Sequence, residues 1–346
     1  QQGVSAAPGW YTVKLILTDG LNNQTQVTQL VQVGDLLPDN QLLADAGTAR
    51  QKEVHGRGNW VVWQDQRNGS WNIYAKDIVN ATTTPQAITS NQLNQERPRS
   101  DGEYVVWQAR QADGNVDIWA KNLTDASTAF AITATTTDDE INPVIEWPWV
   151  IYQRKAVGSV NAPWQLYAKN LLSGTENVVD ATTQDQLDPA IHQQRIVWQD
   201  FRDVGPGEIY FKDLTTDVVK RISTQPAGQY HPVIEDQWIV WADNRNLQFD
   251  LYGYNLYRDT IVQLTNTPED EIRPRINEQW VVYSEDSAGE QNINLRLLHL
   301  ANMATVQLTN APSYKLKPAI VSGNVVWTDQ QSNANNNQGS QVHIGS

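Results

Sequence analysis

A short apolar run recurs seven times at near-even spacing along this 346-residue chain. The copies are Val61-Val62-Trp63, Val105-Val106-Trp107, Val150-Ile151-Tyr152, Ile196-Val197-Trp198, Ile239-Val240-Trp241, Val281-Val282-Tyr283 and Val325-Val326-Trp327. Successive runs are 44, 45, 46, 43, 42 and 44 residues apart. A period of that size marks one supersecondary unit copied along the chain, and no single copy can bury its own apolar surface. The chain must therefore fold as an array of units in mutual contact.

Each copy carries up to four strand-like pieces. In the second, Arg97-Pro98-Arg99 opens a strand and Val105-Val106-Trp107 forms the next. Asp117-Ile118-Trp119-Ala120 follows a turn at Asp113-Gly114, and Phe130-Ala131-Ile132-Thr133 ends the unit. The pieces are short, β-branched or aromatic, and bounded by turn residues, as in an antiparallel meander. Pro98, Pro143, Pro189, Pro232, Pro274 and Pro318 each precede the apolar run by seven residues. Proline lacks a ladder donor, so the first strand should be an edge, which suits the innermost strand of a propeller blade. The expected fold is all-β, a seven-bladed β-propeller over residues 40–346. The seventh unit stops after its third strand, while Gln41-Leu42-Leu43-Ala44 stands unpaired before the first unit. Pairing the two ends removes two open edges, so the last blade is expected from residues 40–44 plus about 315–346.

Two units spell the repeat most fully. Trp63-Gln64-Asp65-Gln66-Arg67 goes with Asn72-Ile73-Tyr74; Trp198-Gln199-Asp200-Phe201-Arg202 goes with Glu208-Ile209-Tyr210 and Asp213-Leu214-Thr215. These resemble the PD40-type repeats of TolB-like propellers. The resemblance implies the fold and an extracellular, cell-surface or periplasmic setting. It leaves binding modules, peptidase-associated propellers and polysaccharide lyases all open. Pro8-Gly9-Trp10-Tyr11-Thr12-Val13 and the alternating stretch from Thr25 to Val33 instead resemble the closing hairpin of a PKD-type immunoglobulin-like domain. The expected organisation is a hairpin in 1–34, a linker in 35–39 and the propeller in 40–346. The hairpin is either the remnant of a larger domain or a pair of strands donated to a neighbouring subunit.

A formal charge of -14 argues against nucleic acid or an anionic membrane surface as partner. No stretch approaches the roughly 20 apolar residues of a membrane span. With no cysteine there are no disulfides, zinc thiolates or thiol nucleophiles. No nucleophile elbow, phosphate loop or dinucleotide fingerprint is present.

Of the 14 tryptophans, Trp63, Trp107, Trp198, Trp241 and Trp327 end the apolar runs and should fill the gaps between blades. Trp71, Trp147 and Trp164 remain as candidates for stacking on a sugar. Asp65 with Arg67, Asp200 with Arg202 and Asp243 with Arg245 recur in one turn, which points to structure: an aspartate accepting turn amides and an arginine bridging blades. The position before each proline, by contrast, varies. It reads Glu53, Arg97, Asn142, Asp188, His231, Arg273 and Lys317, the first unit having Val54 where the others have proline. These seven should converge on one mouth of the central channel and form the ligand-binding ring. The five histidines stand at different repeat positions, so no metal site is expected. Asp138-Asp139-Glu140 and Glu269-Asp270-Glu271 are acidic loops that could hold calcium. No other cofactor is expected.

The expected function is an exported, non-catalytic propeller for binding or assembly, its partner a protein, another copy of itself or a polysaccharide. One alternative is a polysaccharide lyase or glycosidase at the channel mouth, with Arg97, Arg273 and Lys317 on substrate carboxylates and His231 as base. The other is a subunit of an extracellular filament or sheath assembled through the N-terminal hairpin.

Overall fold

The computed structural model describes residues 9–18, 24–33, 41–43, 49–80, 82–203, 205–225, 227–286, 293–310, 313–330 and 340–345. Among them every regular element is a strand. The N-terminal hairpin pairs β1 (Gly9–Thr18) with β2 (Gln24–Val33), in register from Gly9 against Val33 to Thr18 against Gln24. The short β3 (Gln41–Leu42) follows. Thereafter the strands come in antiparallel meanders of four. The first is β4 (Gln51–Arg57), β5 (Trp60–Asn68), β6 (Ser70–Asp77) and β7 (Gln86–Ala87). The second is β8 (Gln95–Ser100), β9 (Tyr104–Arg110), β10 (Val116–Asn122) and β11 (Phe130–Ala131). The third is β12 (Asp138–Glu146), β13 (Trp149–Ala156), β14 (Gln165–Asn170) and β15 (Glu176–Val178).

The fourth is β16 (Gln186–His192), β17 (Arg195–Asp200), β18 (Glu208–Asp213) and β19 (Val218–Arg221). The fifth is β20 (Gln229–Glu235), β21 (Trp238–Asp243), β22 (Asp250–Asn255) and β23 (Thr260–Gln263). The sixth is β24 (Asp270–Asn277), β25 (Trp280–Asp286), β26 (Ile293–His299) and β27 (Ala304–Gln307). Last come β28 (Tyr314–Val321), β29 (Asn324–Gln330) and β30 (Ser340–Gly345), and β3 lies against β30 with Gln41 opposite Ile344 and Leu42 opposite His343. The Leu43 amide extends this pairing by donating to the Val342 carbonyl at 2.9 Å.

The apolar runs lie on the second strands, and their alternation explains why they read as continuous. Val61 and Trp63 face one neighbouring sheet, where they pack with Val321, Val326 and Val342 of the last unit; Val62 faces the other, with Val105 and Trp107. Sheets buried on both faces need apolar residues at every position. The five run-ending tryptophans are at most 1 % exposed. The core is accordingly divided into clusters, each between consecutive units, including one that joins the last unit to the first. The same approach is visible in the backbone: a Cβ on Gly56 of β4 would collide with Val321 of β28.

The Ile-Thr pairs expected inside the fourth strands lie just beyond them. Ile88 donates its amide to the Ile73 carbonyl at 2.8 Å, and the Thr89 hydroxyl accepts from the Ile73 amide at 2.9 Å. Thr133, Ser223, Thr265 and Thr309 repeat that hydroxyl contact. The side chain takes the amide that a longer strand would pair, so the fourth strand stops short.

Each first strand bulges at the variable position. Glu53, Arg97, Asn142, Asp188, His231, Arg273 and Lys317 have φ between 50° and 55°, and the pairing with the second strand shifts register across each. Left-handed backbone at a non-glycine residue costs about 1–3 kcal/mol. A repeated glutamine supports two of these bulges: Gln64 accepts the Arg97 amide at 3.0 Å and Gln108 the Asn142 amide at 3.2 Å.

Two residues before each bulge stands a buried polar side chain: Gln51, Gln95, Glu140, Gln186, Gln229, Glu271 or Lys315. The acidic triplets expected as loops are thus strand openings. Glu140 is turned inward to Arg154 (2.9 Å), and Glu271 accepts hydrogen bonds from Thr265 at 2.9 Å and from Thr267. Burial pushes the Glu271 pKa up to about 7. The folded state then keeps a proton that the unfolded chain has shed, so this contribution to stability is complete at low pH and lost as pH rises through about 7. Glu271→Gln installs the residue found at four sister positions and removes the titration. Its melting temperature should exceed the parent's at about pH 8, with the gap closing toward about pH 5. Thermal unfolding at both pH values checks this.

Candidate functional site

The first strands of all the units surround a central cavity of about 170 Å³. Going inward along each first strand from the bulge, positions two and four residues further on form successive tiers. The outer tier contains the seven variable residues. Arg97 donates to the Asn142 side chain at 2.5 Å, Asp188 meets His231 Nδ1 at 3.0 Å, and Lys317 lies 3.5 Å from Glu53. Six of the seven therefore meet in neighbouring pairs. Glu53 and Arg273 lie outside the cavity lining, and Arg273 forms no ion pair among the described residues.

The middle tier was not singled out in the sequence. It holds His55, Arg99 and Arg275, with Val144, Ala190, Val233 and Ala319 completing it. Arg99 reaches Glu53 at 3.8 Å and donates to the Pro98 carbonyl at 2.8 Å. Arg275 donates to the Pro274 carbonyl at 2.8 Å, and no described carboxylate lies within ion-pair distance of it. Burial, with Arg99 close by, holds the Arg275 pKa down to about 10. Burial only partly opposed by Glu53 brings Lys317 down to about 8. Desolvation and the nearby Arg99 and Arg275 hold half-buried His55 well below the usual imidazole range, so it is neutral. Burial works against the Glu53 carboxylate, but Lys317, Arg99 and Arg97 outweigh it and keep its pKa low. The cations around this cavity are crowded, desolvated and short of counter-charge.

The inner tier spans the far end. Arg57 of β4 donates twice to Glu235 of β20, at 2.9 Å each. His192 joins them, with Nδ1 3.3 Å from Glu146 and 3.5 Å from Glu235, and Nε2 3.2 Å from Asp236. Burial disfavours the His192 cation, yet these carboxylates overcome the effect and raise its pKa. The same count from the prolines that locates the outer tier would have located this one.

The Asp-x-Arg turns are structural: each arginine closes on its own aspartate and lies over a tyrosine ring of the same sheet. Asp65 accepts from Trp63 Nε1 at 3.2 Å and from the Arg67 amide at 3.0 Å, while Arg67 lies 4.5 Å over the Tyr74 ring of its own sheet. Asp200 and Asp243 repeat the pattern, and Arg202 adds a contact beyond its own sheet, to Asp180 at 2.6 Å. Among the sugar-stacking candidates, Trp71 lies 4.4 Å beneath the Lys52 ammonium, Trp147 is stacked on Tyr104 at 4.4 Å, and Trp164 has Lys155 at 5.6 Å.

No family model matches the chain, and no curated protein matches it in sequence. Solved structures do match in fold. An oligogalacturonate lyase in complex with manganese aligns over 99 % of this chain and 98 % of its own, with a TM-score of 0.66 at 10 % identity. The Pyrococcus horikoshii acylaminoacyl peptidase aligns over 86 % of this chain at a TM-score of 0.65 and 12 % identity. This chain spans about half (51 %) of that peptidase. A putative TolB from Agrobacterium tumefaciens is covered completely at a TM-score of 0.54 and 11 % identity. The TolB-like propeller fold is therefore shared. The expectation of a non-catalytic binding or assembly module is corrected by these neighbours, since a lyase shares the fold over nearly its whole length and a peptidase over about half of its own. The chain's residues do not fit the lyase's manganese: among the described residues no group of three His, Asp or Glu could hold a metal ion.

Arg273 offers a test of the bulge because its side chain forms no hydrogen bond or ion pair among the described residues. Arg273→Gly should be more stable than Arg273→Ala by roughly 1 kcal/mol, since only glycine adopts the left-handed conformation without cost. Urea midpoints of the two variants measure the difference.

Proposed function

We propose that the chain is a seven-bladed propeller, closed by residues 41–43 on the last blade, that cleaves an anionic polysaccharide at the mouth of its central cavity as a lyase. Contacts between the last and first units support the closed ring. The observation that carries the activity is the His231–Asp188 pair, 3.0 Å apart and both half-exposed, beside Arg97 and Lys317. A carboxylate on Nδ1 fixes the tautomer and leaves Nε2 as the basic nitrogen.

In the step this arrangement suits, the cations neutralise a uronide carboxylate, which acidifies the carbon-bound proton next to it. His231 Nε2 takes that proton, the electron pair forms a carbon–carbon double bond, and the glycosidic carbon–oxygen bond on the next carbon breaks. The leaving oxygen departs with its electrons and is protonated from water. A positioned base of this kind contributes about 10²–10⁴-fold.

The glycosidase alternative is disfavoured by the same charges. It needs one carboxyl that stays protonated to act as acid. Glu53 and Asp188 of the outer tier are both held below the usual carboxylate range: burial opposes ionisation, but the neighbouring cations and, at Asp188, the His231 hydrogen bond prevail.

Incubation with polygalacturonate, alginate and glucuronans, followed by ultraviolet absorbance, tests the proposal. A lyase makes an absorbing unsaturated uronide, whereas a hydrolase makes only reducing ends. We expect absorbance to grow with one of these substrates and to fall at least about 100-fold in His231→Ala. Reducing ends without absorbance, or no turnover on the whole panel, would sink the lyase reading.

A further inference from the structure

We propose that the cavity beneath the mouth is a blind subsite for one terminal uronate residue, its carboxylate held by Arg99 and Arg275, so that the glycan enters end-on. This rests on the uronide reading above for the identity of the sugar, while the anion site stands on its own residues.

Three observations converge. First, the cavity is closed from below: Arg57 and Glu235 reach across from units that are not neighbours and form a two-bond ion pair, with His192, Glu146 and Asp236 filling in around it. A long glycan cannot thread through. Second, the volume of about 170 Å³ lies below the roughly 300–1,000 Å³ of ordinary ligand pockets, which limits the occupant to about one sugar residue. Third, the walls are cationic beyond their internal needs. Arg99 and Lys317 share the single carboxylate of Glu53, Asp188 is engaged by His231, Glu235 is engaged by Arg57, and Arg275 has no described carboxylate partner.

Buried guanidinium groups are tolerated when something compensates their charge. In a chain of net charge -14 this concentration of cations also stands out from its surroundings. The missing counter-charge matches a planar oxyanion, which arginine engages with paired N–H donors. Arg99 and Arg275 stand two strand residues below the bulges, a drop of about 7 Å from the His231–Asp188 pair. A residue seated with its carboxylate at that depth leaves the bond to its neighbour at the level of the mouth. His55 adds a neutral hydrogen-bonding ring on the same wall, without a second positive charge.

The test is calorimetric titration of the intact protein with D-galacturonic acid, D-glucuronic acid, their methyl esters and inorganic phosphate. At least one free acid should bind, with its ester at least tenfold weaker. Arg275→Gln should lose at least tenfold in affinity for that acid, and Arg275→Lys should recover part of it. Ester and acid binding alike, binding of neither acid, or an unchanged Arg275→Gln would overturn the subsite. Phosphate binding more tightly than both acids would overturn the sugar assignment in favour of a free oxyanion. Thermal unfolding checks the variants, and the acid-to-ester comparison needs no variant at all.

Product length separates this proposal from the one it rests on. On a cleaved polyuronide, release of single residues from the outset supports the blind subsite, and a ladder of oligomers opposes it. Acid binding that depends on Arg275 in a protein that cleaves nothing would leave the anion site standing and remove the lyase. Lyase activity indifferent to Arg275→Gln would do the reverse.

Discussion

The structure depends on one constraint: every four-stranded sheet is apolar on both faces, so none can be satisfied without a neighbour on each side. Val61 and Trp63 demand one neighbour while Val62 demands another, and the pattern repeats at each run. A linear stack would leave two such faces in water. The exposed apolar area would be costly at about 25 cal/mol per Å² and would invite association. Packing the last unit on the first covers both at once, and the pairing of β3 with β30 covers the remaining edge. The central cavity is a consequence, because wedge-shaped sheets that all meet their neighbours leave a gap where their innermost strands converge.

The scaffold was legible in the sequence because each of its rules is written several times. The apolar runs, the prolines and the Trp–Asp–Arg turns recur, and repetition separates a structural requirement from chance. The outer tier was legible for the opposite reason, as the place where chemistry changes against a constant background. The middle and inner tiers were not singled out, although the same count from the prolines reaches them. Arg99 and Arg275 each stand beside a proline in a short polar stretch and look like solvated edge residues. Only the convergence of the first strands shows that they are half-buried, and nothing local to Arg57 announces that its partner is Glu235, 178 residues away. The arginines of the Asp-x-Arg turns add contacts that the sequence pattern does not show for a related reason. A planar guanidinium is held between an aspartate and a tyrosine ring of one sheet, and a one-dimensional reading cannot tell that tyrosine from one on the neighbouring blade.

The bulges connect scaffold and site energetically. Each places a non-glycine residue in left-handed backbone directly before a proline in six of the seven units, a combination that sterics oppose twice. At about 1–3 kcal/mol each, seven such positions together rival the 5–15 kcal/mol net stability of an ordinary domain. The inter-sheet cores must offset that strain, and the glutamine side chains that accept the Arg97 and Asn142 amides help to hold the distorted geometry. A regular first strand would avoid the strain, but it would also keep its alternation and turn the variable side chain by the ordinary pleat. With the bulge, six of the seven variable residues meet their neighbours in pairs while the residues two further on still line the cavity. The strain is therefore tied to the arrangement of the site: it is concentrated on the one strand of each unit whose side chains surround the cavity, and the other three strands carry the packing that sustains it.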